Sequence, residues 1–177
     1  MAIKLMVGLG NPGLEYEQTR HNAGMLYVDW WRQQLNGSAW SEVKKFKALM
    51  SKVRMADEET IILAQPQTYM NLSGEAVRAI TDYYRLKADE VMVAFDDLDL
   101  KLGEWKIQKG KGPHGHNGLE SIYTHLGTKD FWHLRLGIDD REGERVIAPR
   151  DYVLMKLSND ELEELKRVFG EIKIDSL

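Results

Sequence analysis

Short apolar runs alternate along this chain with stretches whose apolar residues recur at helical spacing. Ile3–Gly8 is mostly apolar and stops at glycine, which predicts a buried strand. Gly10–Asn22 is polar and rich in turn residues. Asn22 is placed to cap a helix over 23–36, with Met25, Leu26, Val28, Trp31 and Leu35 supplying its apolar faces and Gly37 ending it. Phe46–Val53 and Thr60–Ala64 read as the two strands of a hairpin around Ala56–Glu59, and Gln65–Asn71 as a loop. Ala76, Val77, Ile80, Tyr83 and Tyr84 fall on one face of a second helix.

The second half continues the alternation. Val91–Phe95 is another buried strand, ending at Asp96, and Trp105–Gln108 is short and strand-like. Asn117 is placed to cap a helix carrying Leu119, Ile122, Tyr123 and Leu126, closed by Gly127. Trp132–Ile138 is a strand and Asp139–Arg150 a charged loop. Ser158 and Glu161 have capping-box spacing ahead of a last helix with Leu162, Leu165, Val168 and Phe169. Strands alternating with helices predict an α/β layered domain, and the hairpin makes its sheet mixed. At 177 residues the chain fits one domain.

Composition narrows the chemistry. No apolar run approaches the ~20 residues that span a bilayer, and no signal-peptide pattern opens the chain. Without cysteine there is no thiolate nucleophile and no Cys-ligated zinc, and the cytoplasm is the default compartment. The formal net charge is −4, which argues against nucleic-acid binding in bulk. Charge is segregated, however. Lys101, Lys106, Lys109 and Lys111 face one acid, Glu104, between residues 101 and 116, while the last twenty residues are acidic.

Three groups of residues carry candidate chemistry. Gly8-Leu9-Gly10-Asn11-Pro12-Gly13 matches a dinucleotide-binding pattern, but the polar residues after it offer no helix face to pack on a sheet. The glycines are better read as shaping a loop at the carboxyl end of the first strand. Thr19-Arg20-His21-Asn22 puts a histidine on that loop, and an imidazole that titrates near pH 6.5 suits a general base. Asp96 ends the second buried strand and is available to orient it; with no serine elbow in the chain, water is then the nucleophile. On that footing, loss of Asp96 should cost less than loss of His21. Asn11, Asn71 and Asn117 lie at turns or helix starts, where an amide either makes the turn or holds a carbonyl and a water. His114 and His116 lack the further ligands a zinc site needs. A dinucleotide-dependent oxidoreductase and a non-catalytic RNA-binding module remain as alternatives, resting on the glycine pattern and the lysine segment respectively.

Taken together these residues resemble the bacterial-type peptidyl-tRNA hydrolases. The likeness runs through Val7–Gly13, Tyr16, Thr19–Gly24, Gln65–Gly74, Asp96-Asp97-Leu98-Asp99, Gly115–Leu119 and Leu134–Ile138, in the family's order and over nearly the whole chain. The resemblance implies a single three-layer α/β/α domain over residues 1–177, its sheet mixed but mostly parallel. It implies a cytoplasmic monomer, without metal or other cofactor, that hydrolyses the ester joining peptide to tRNA in peptidyl-tRNA. By position, His21 would be the base and Asp96 its partner. Asn11, Asn71 and Asn117 would bind the peptide backbone, the water and the terminal adenosine region, with Tyr16, Met70 and His116 lining the cleft. Lys106, Lys109, Lys111 and Arg135 would meet tRNA phosphate. Gln108 and His133 stand where the family commonly has basic residues.

Overall fold

The computed structural model describes residues 3–142 and 146–174. Part of the charged loop and both ends of the 1–177 span therefore lie outside the described residues. Among the described residues, seven strands form one sheet: β1 (Leu5–Gly8), β2 (Ser41–Val43), β3 (Ala48–Arg54), β4 (Thr60–Pro66), β5 (Val91–Lys101), β6 (Trp105–Lys109) and β7 (Trp132–Asp139). Their order is β2-β3-β4-β1-β5-β7-β6. The centre, β4-β1-β5-β7, is parallel, and β3 and β6 run against it. The helices are α1 (Ala23–Gln34), α2 (Ser73–Tyr84), α3 (Asn117–Leu126), α4 (Pro149–Leu154) and α5 (Asn159–Glu171).

The central strands are apolar on both faces because both are covered. Met6, Leu63, Met92, Ala94, Leu134 and Leu136 pack against α1, α4 and α5; their neighbours Val7, Ala64, Val93 and Phe95 pack against α2 and α3. The two-residue period of the strands therefore yields the expected three-layer α/β/α arrangement. None of the described helices is long and apolar enough to cross a membrane.

Glycine sets how closely α1 approaches the sheet. A Cβ on Gly24 would lie 2.1 Å from the carbonyl oxygen of Ala94, and one on Gly8 would lie 2.4 Å from that of Gly24. The first turn of α1 thus rests directly on the backbone of β1 and β5, bringing the residues just before it over the carboxyl ends of those strands. No helix begins at Gly10; single turns at Leu14–Tyr16 and Arg20–Asn22 precede α1. This removes the structural basis of the dinucleotide reading.

Several elements differ from expectation. β5 continues six residues past Phe95, so Asp96 and Asp97 lie within a strand rather than on a loop. Its register against β7 shifts between Asp97 and Lys101, where Lys101 pairs with Asp139 and Leu100 stays buried. The short edge strand β2, and α4, which begins in the last two residues of the charged segment, have no clear signal in the sequence pattern. Asn22 sits at the N-terminus of α1 but makes no side-chain cap there. His116, not Asn117, caps α3: its Nδ1 accepts from the Leu119 N–H at 3.3 Å. His133 is fully buried, with Nδ1 on the Phe131 carbonyl and Nε2 on the Tyr123 hydroxyl, and burial pushes it down to about 4.

Candidate active site

A cavity of about 500 Å³ opens at the carboxyl ends of β1, β4 and β5, where open α/β sheets place ligands. Asn11, His21 and Asp96 form its floor. Tyr69, Met70 and Asn71 make one wall, residues 113–117 a second, and Pro149, Arg150, Val153 and Leu154 of α4 a third. Tyr16 lies outside this lining, on the turn before Thr19, where its carbonyl accepts from the Thr19 hydroxyl.

The floor is held by a buried carboxylate between two imidazoles. Asp96, 2% exposed, lies 2.9 Å through both oxygens from His21 Nδ1 and 3.0 Å through Oδ1 from His116 Nε2. The network fixes both tautomers. Since His116 Nδ1 accepts the Leu119 N–H, its Nε2 carries the proton and donates to Asp96. His21 Nδ1 likewise donates to the carboxylate, which leaves Nε2 as its basic nitrogen. Burial opposes charge on Asp96, yet the fields and hydrogen bonds of His21 and His116 outweigh it and hold the carboxyl far below the ordinary range. For His21, burial alone lowers the affinity for a proton; the charge and hydrogen bond of Asp96 reverse that and raise it above 6.5.

His21, Asp96 and His116 also form a three-ligand cluster, with donor atoms all within 4.8 Å of one another. His21 Nδ1, His116 Nε2 and both oxygens of Asp96 are already engaged in the hydrogen bonds just described. A cation held by those atoms would have to displace protons from both imidazoles. His114 lines the cavity but is exposed and lies outside the cluster.

Asn11 is oriented by its neighbours. The Asn22 side chain takes both backbone polar groups of Asn11, accepting from its N–H at 2.8 Å and donating to its carbonyl at 3.0 Å. Asn11 Oδ1 in turn accepts the Met70 N–H at 2.8 Å. Its Nδ2 is thereby left as a donor at the cavity floor. Gly10 makes this clamp possible, since a Cβ there would lie 2.8 Å from Asn22 Oδ1. Asn71 and Asn117, by contrast, are exposed at the rim.

The two amide functions of Asn11 are separable. Asn11→Asp keeps an acceptor for Met70 while removing the donor; Asn11→Ala removes both. If the donor serves a developing oxyanion, both variants should lose about 10²–10³-fold in kcat, and only Asn11→Ala should also lower the melting temperature. Normal kcat in the Asn11→Asp protein would leave Asn11 as a turn residue.

The basic residues gather on β6 and β7. Lys106 is directly opposite Arg135 across the antiparallel pair, so both side chains share a face. Arg135 Nε donates to Asp97 at 2.6 Å, and its Nη1 to Gln108 at 2.8 Å. Lys106 and Lys111 are exposed, while Lys109 lies 3.7 Å from Asp130.

The sequence model for peptidyl-tRNA hydrolase matches residues 5–175. The chain belongs to the peptidyl-tRNA hydrolase family. It is 45% identical over 163 residues to the peptidyl-tRNA hydrolase of Exiguobacterium sp. strain AT1b, covering 92% of this chain and 85% of that one. Against the Marinobacter nauticus peptidyl-tRNA hydrolase, identity is 41% over 170 residues, covering 96% and 85%. The crystal structure of peptidyl-tRNA hydrolase from Acinetobacter baumannii superposes with a TM-score of 0.85 at 32% identity, covering 95% and 83%.

Within this member of the peptidyl-tRNA hydrolase family, Asn22 holds Asn11 and Asp97 holds Arg135, both candidate site residues, a role their sequence context does not signal. Asparagine before a helix and paired aspartates after a strand have commoner local explanations, as a cap and a solvated turn. The α4 wall is hidden by the charges around it; only Pro149, at the first helical position, marks its start.

Proposed function

We propose that this protein hydrolyses peptidyl-tRNA, cutting the ester between the peptide's last carbonyl and the tRNA ribose and so recycling tRNA from stalled translation. The observation that carries the mechanism is the His21–Asp96 contact at 2.9 Å, which leaves Nε2 as the basic nitrogen at the floor of an amide-lined cleft. His21 Nε2 takes a proton from water, and the hydroxide attacks the ester carbonyl. Asn11 Nδ2 donates to the developing oxyanion, and the imidazolium returns its proton to the departing ribose oxygen. Asp96 fixes the tautomer and stabilises the imidazolium. Asn71, Asn117 and Met70 hold the peptide backbone and the terminal adenosine, and Tyr16 meets substrate outside the cavity. The site works in one domain, as a cytoplasmic monomer, without a metal.

The direct test is incubation with N-acylated aminoacyl-tRNA. Free tRNA should appear at the same rate with and without EDTA. Loss of activity in EDTA would turn the His21–Asp96–His116 cluster into a cation site. Binding without hydrolysis would favour the non-catalytic RNA module.

Lys106, Lys109, Lys111 and Arg135 form the surface for tRNA phosphates. Replacing the three lysines with alanine should weaken substrate binding and flatten its salt dependence, by roughly one unit of log–log slope for each phosphate no longer neutralised. Turnover at saturating substrate should change less. An unchanged slope would move the tRNA surface away from β6.

A further inference from the structure

Immediately before the candidate base stands a buried arginine that the hydrolytic mechanism does not use. The Arg20 side chain is 8% exposed. Its Nη2 donates to Glu161 at 2.5 Å, and its Nη1 lies 3.3 Å from the carbonyls of Met155 and of Lys156. The guanidinium carbon sits 4.2 Å from the centre of the Tyr152 ring, which also carries Arg141 at 4.7 Å. Glu161 is itself immobilised: its Oε2 accepts the Ser158 N–H at 2.6 Å in the capping box of α5. The backbones are joined as well, through Arg20 N–H to Met155 at 3.1 Å and Leu157 N–H to Gln18 at 2.8 Å.

Stability alone does not account for this arrangement. A buried ion pair adds little over apolar residues of the same volume, and Arg20 Nε is buried without a hydrogen-bond partner among the described residues. What the planar fork supplies is geometry, because one side chain holds a carboxylate and two carbonyls at fixed angles. At one end lies the single turn Arg20–Asn22 that carries His21. At the other lies the link between α4, the third wall of the cleft, and α5.

We infer that Arg20 is a positioning residue for His21: its guanidinium bolts the turn carrying the base to the α4–α5 link, so that base and cleft wall hold one relative placement. This rests on the reading of His21 as the base. Asp96 and His116 are the ionisable groups facing His21; Glu161 and Tyr152, with Arg141 beyond the ring, are those around Arg20. Arg20 acts through His21's position and not by touching substrate.

The test is a double-mutant cycle with an independent probe. Arg20→Lys keeps a cation beside Glu161 but loses the fork. It should lower kcat on N-acylated aminoacyl-tRNA on the order of 10- to 10²-fold, the scale of a small misplacement of a reacting group, with KM nearly unchanged. In a His21→Ala background the same change should cost nothing further. NMR titration of the free protein should show the His21 imidazole falling toward 6.5 as its contact with Asp96 loosens. An equal loss in both backgrounds, a loss confined to KM, or an unmoved His21 titration overturns the inference. Thermal unfolding checks that the variant is folded. If Arg20→Lys is not, Glu161→Gln, which keeps an oxygen acceptor and removes the charge, should show the same pattern at smaller size. Should His21→Ala hydrolyse normally, the general-base reading fails, and the NMR arm alone then decides whether Arg20 places His21.

Discussion

His21→Ala is expected to lower kcat by about 10²–10⁴-fold, the usual worth of a positioned acid–base group, while leaving tRNA affinity nearly intact. The variant should fold, because His21 contributes to the cleft floor and not to either apolar layer. The pH profile carries the same assignment. The base must be neutral to accept a proton, so kcat/KM should fall tenfold per pH unit below the His21 pKa. Asp96 holds that value above 6.5, placing the midpoint of the acid limb on the near-neutral side of a free histidine. Asp96 stays ionised throughout this range, being held far below the ordinary carboxylate value, and adds no second limb there. Near-normal hydrolysis by His21→Ala, or a flat profile down to pH 5, would end the general-base mechanism.

The parts legible in the sequence are those governed by a local period or a local cap. Met92, Ala94 and Leu134, Leu136 alternate with Val93, Phe95 and His133 because both sheet faces are covered, and the strands read as apolar runs for that reason. The Ser158–Glu161 box is readable because both bonds span three residues. His21 and Asp96 can be placed together because two parallel strands share a carboxyl edge. What escapes depends on partners far away in the chain. Asn22 spends its side chain on Asn11 rather than on its helix, and Glu161 divides its two oxygens between Ser158 and Arg20. Resemblance places His116 in the cleft; that it caps α3 with one nitrogen and holds Asp96 with the other depends on a contact twenty residues away. β5 runs through Asp96 and Asp97 because each meets a cationic or donor partner, the two histidines and Arg135, which compensates for their burial.

That second histidine changes the expected consequence of Asp96→Asn. Judged from sequence alone, the substitution removes orientation and charge but leaves the imidazole, and should cost less than losing His21. In the structure the carboxylate accepts from two N–H groups at once. His116 cannot change tautomer without giving up the Leu119 N–H at the start of α3, so its Nε2–H requires the oxygen of the new amide. The amide NH₂ then takes the place of Oδ2 at 2.9 Å from His21 Nδ1, and the oxygen left to that nitrogen is Oδ1, which His116 already occupies. Two donors cannot share that contact. His21 relieves it by moving its proton from Nδ1 to Nε2, the nitrogen that must accept from water. The Asp96→Asn protein should therefore hold a correctly placed imidazole in the wrong tautomer, with kcat lowered by about 10⁴-fold, as much as by losing the base itself. Two measurements separate this from simple loss of structure. The melting temperature should show the variant folded, and imidazole ¹⁵N shifts should show His21 protonated at Nε2 rather than Nδ1. A variant that keeps the Nδ1–H tautomer, or one that retains more than a tenth of wild-type kcat, would mean that Asp96 sets charge at the site and not the direction of the proton.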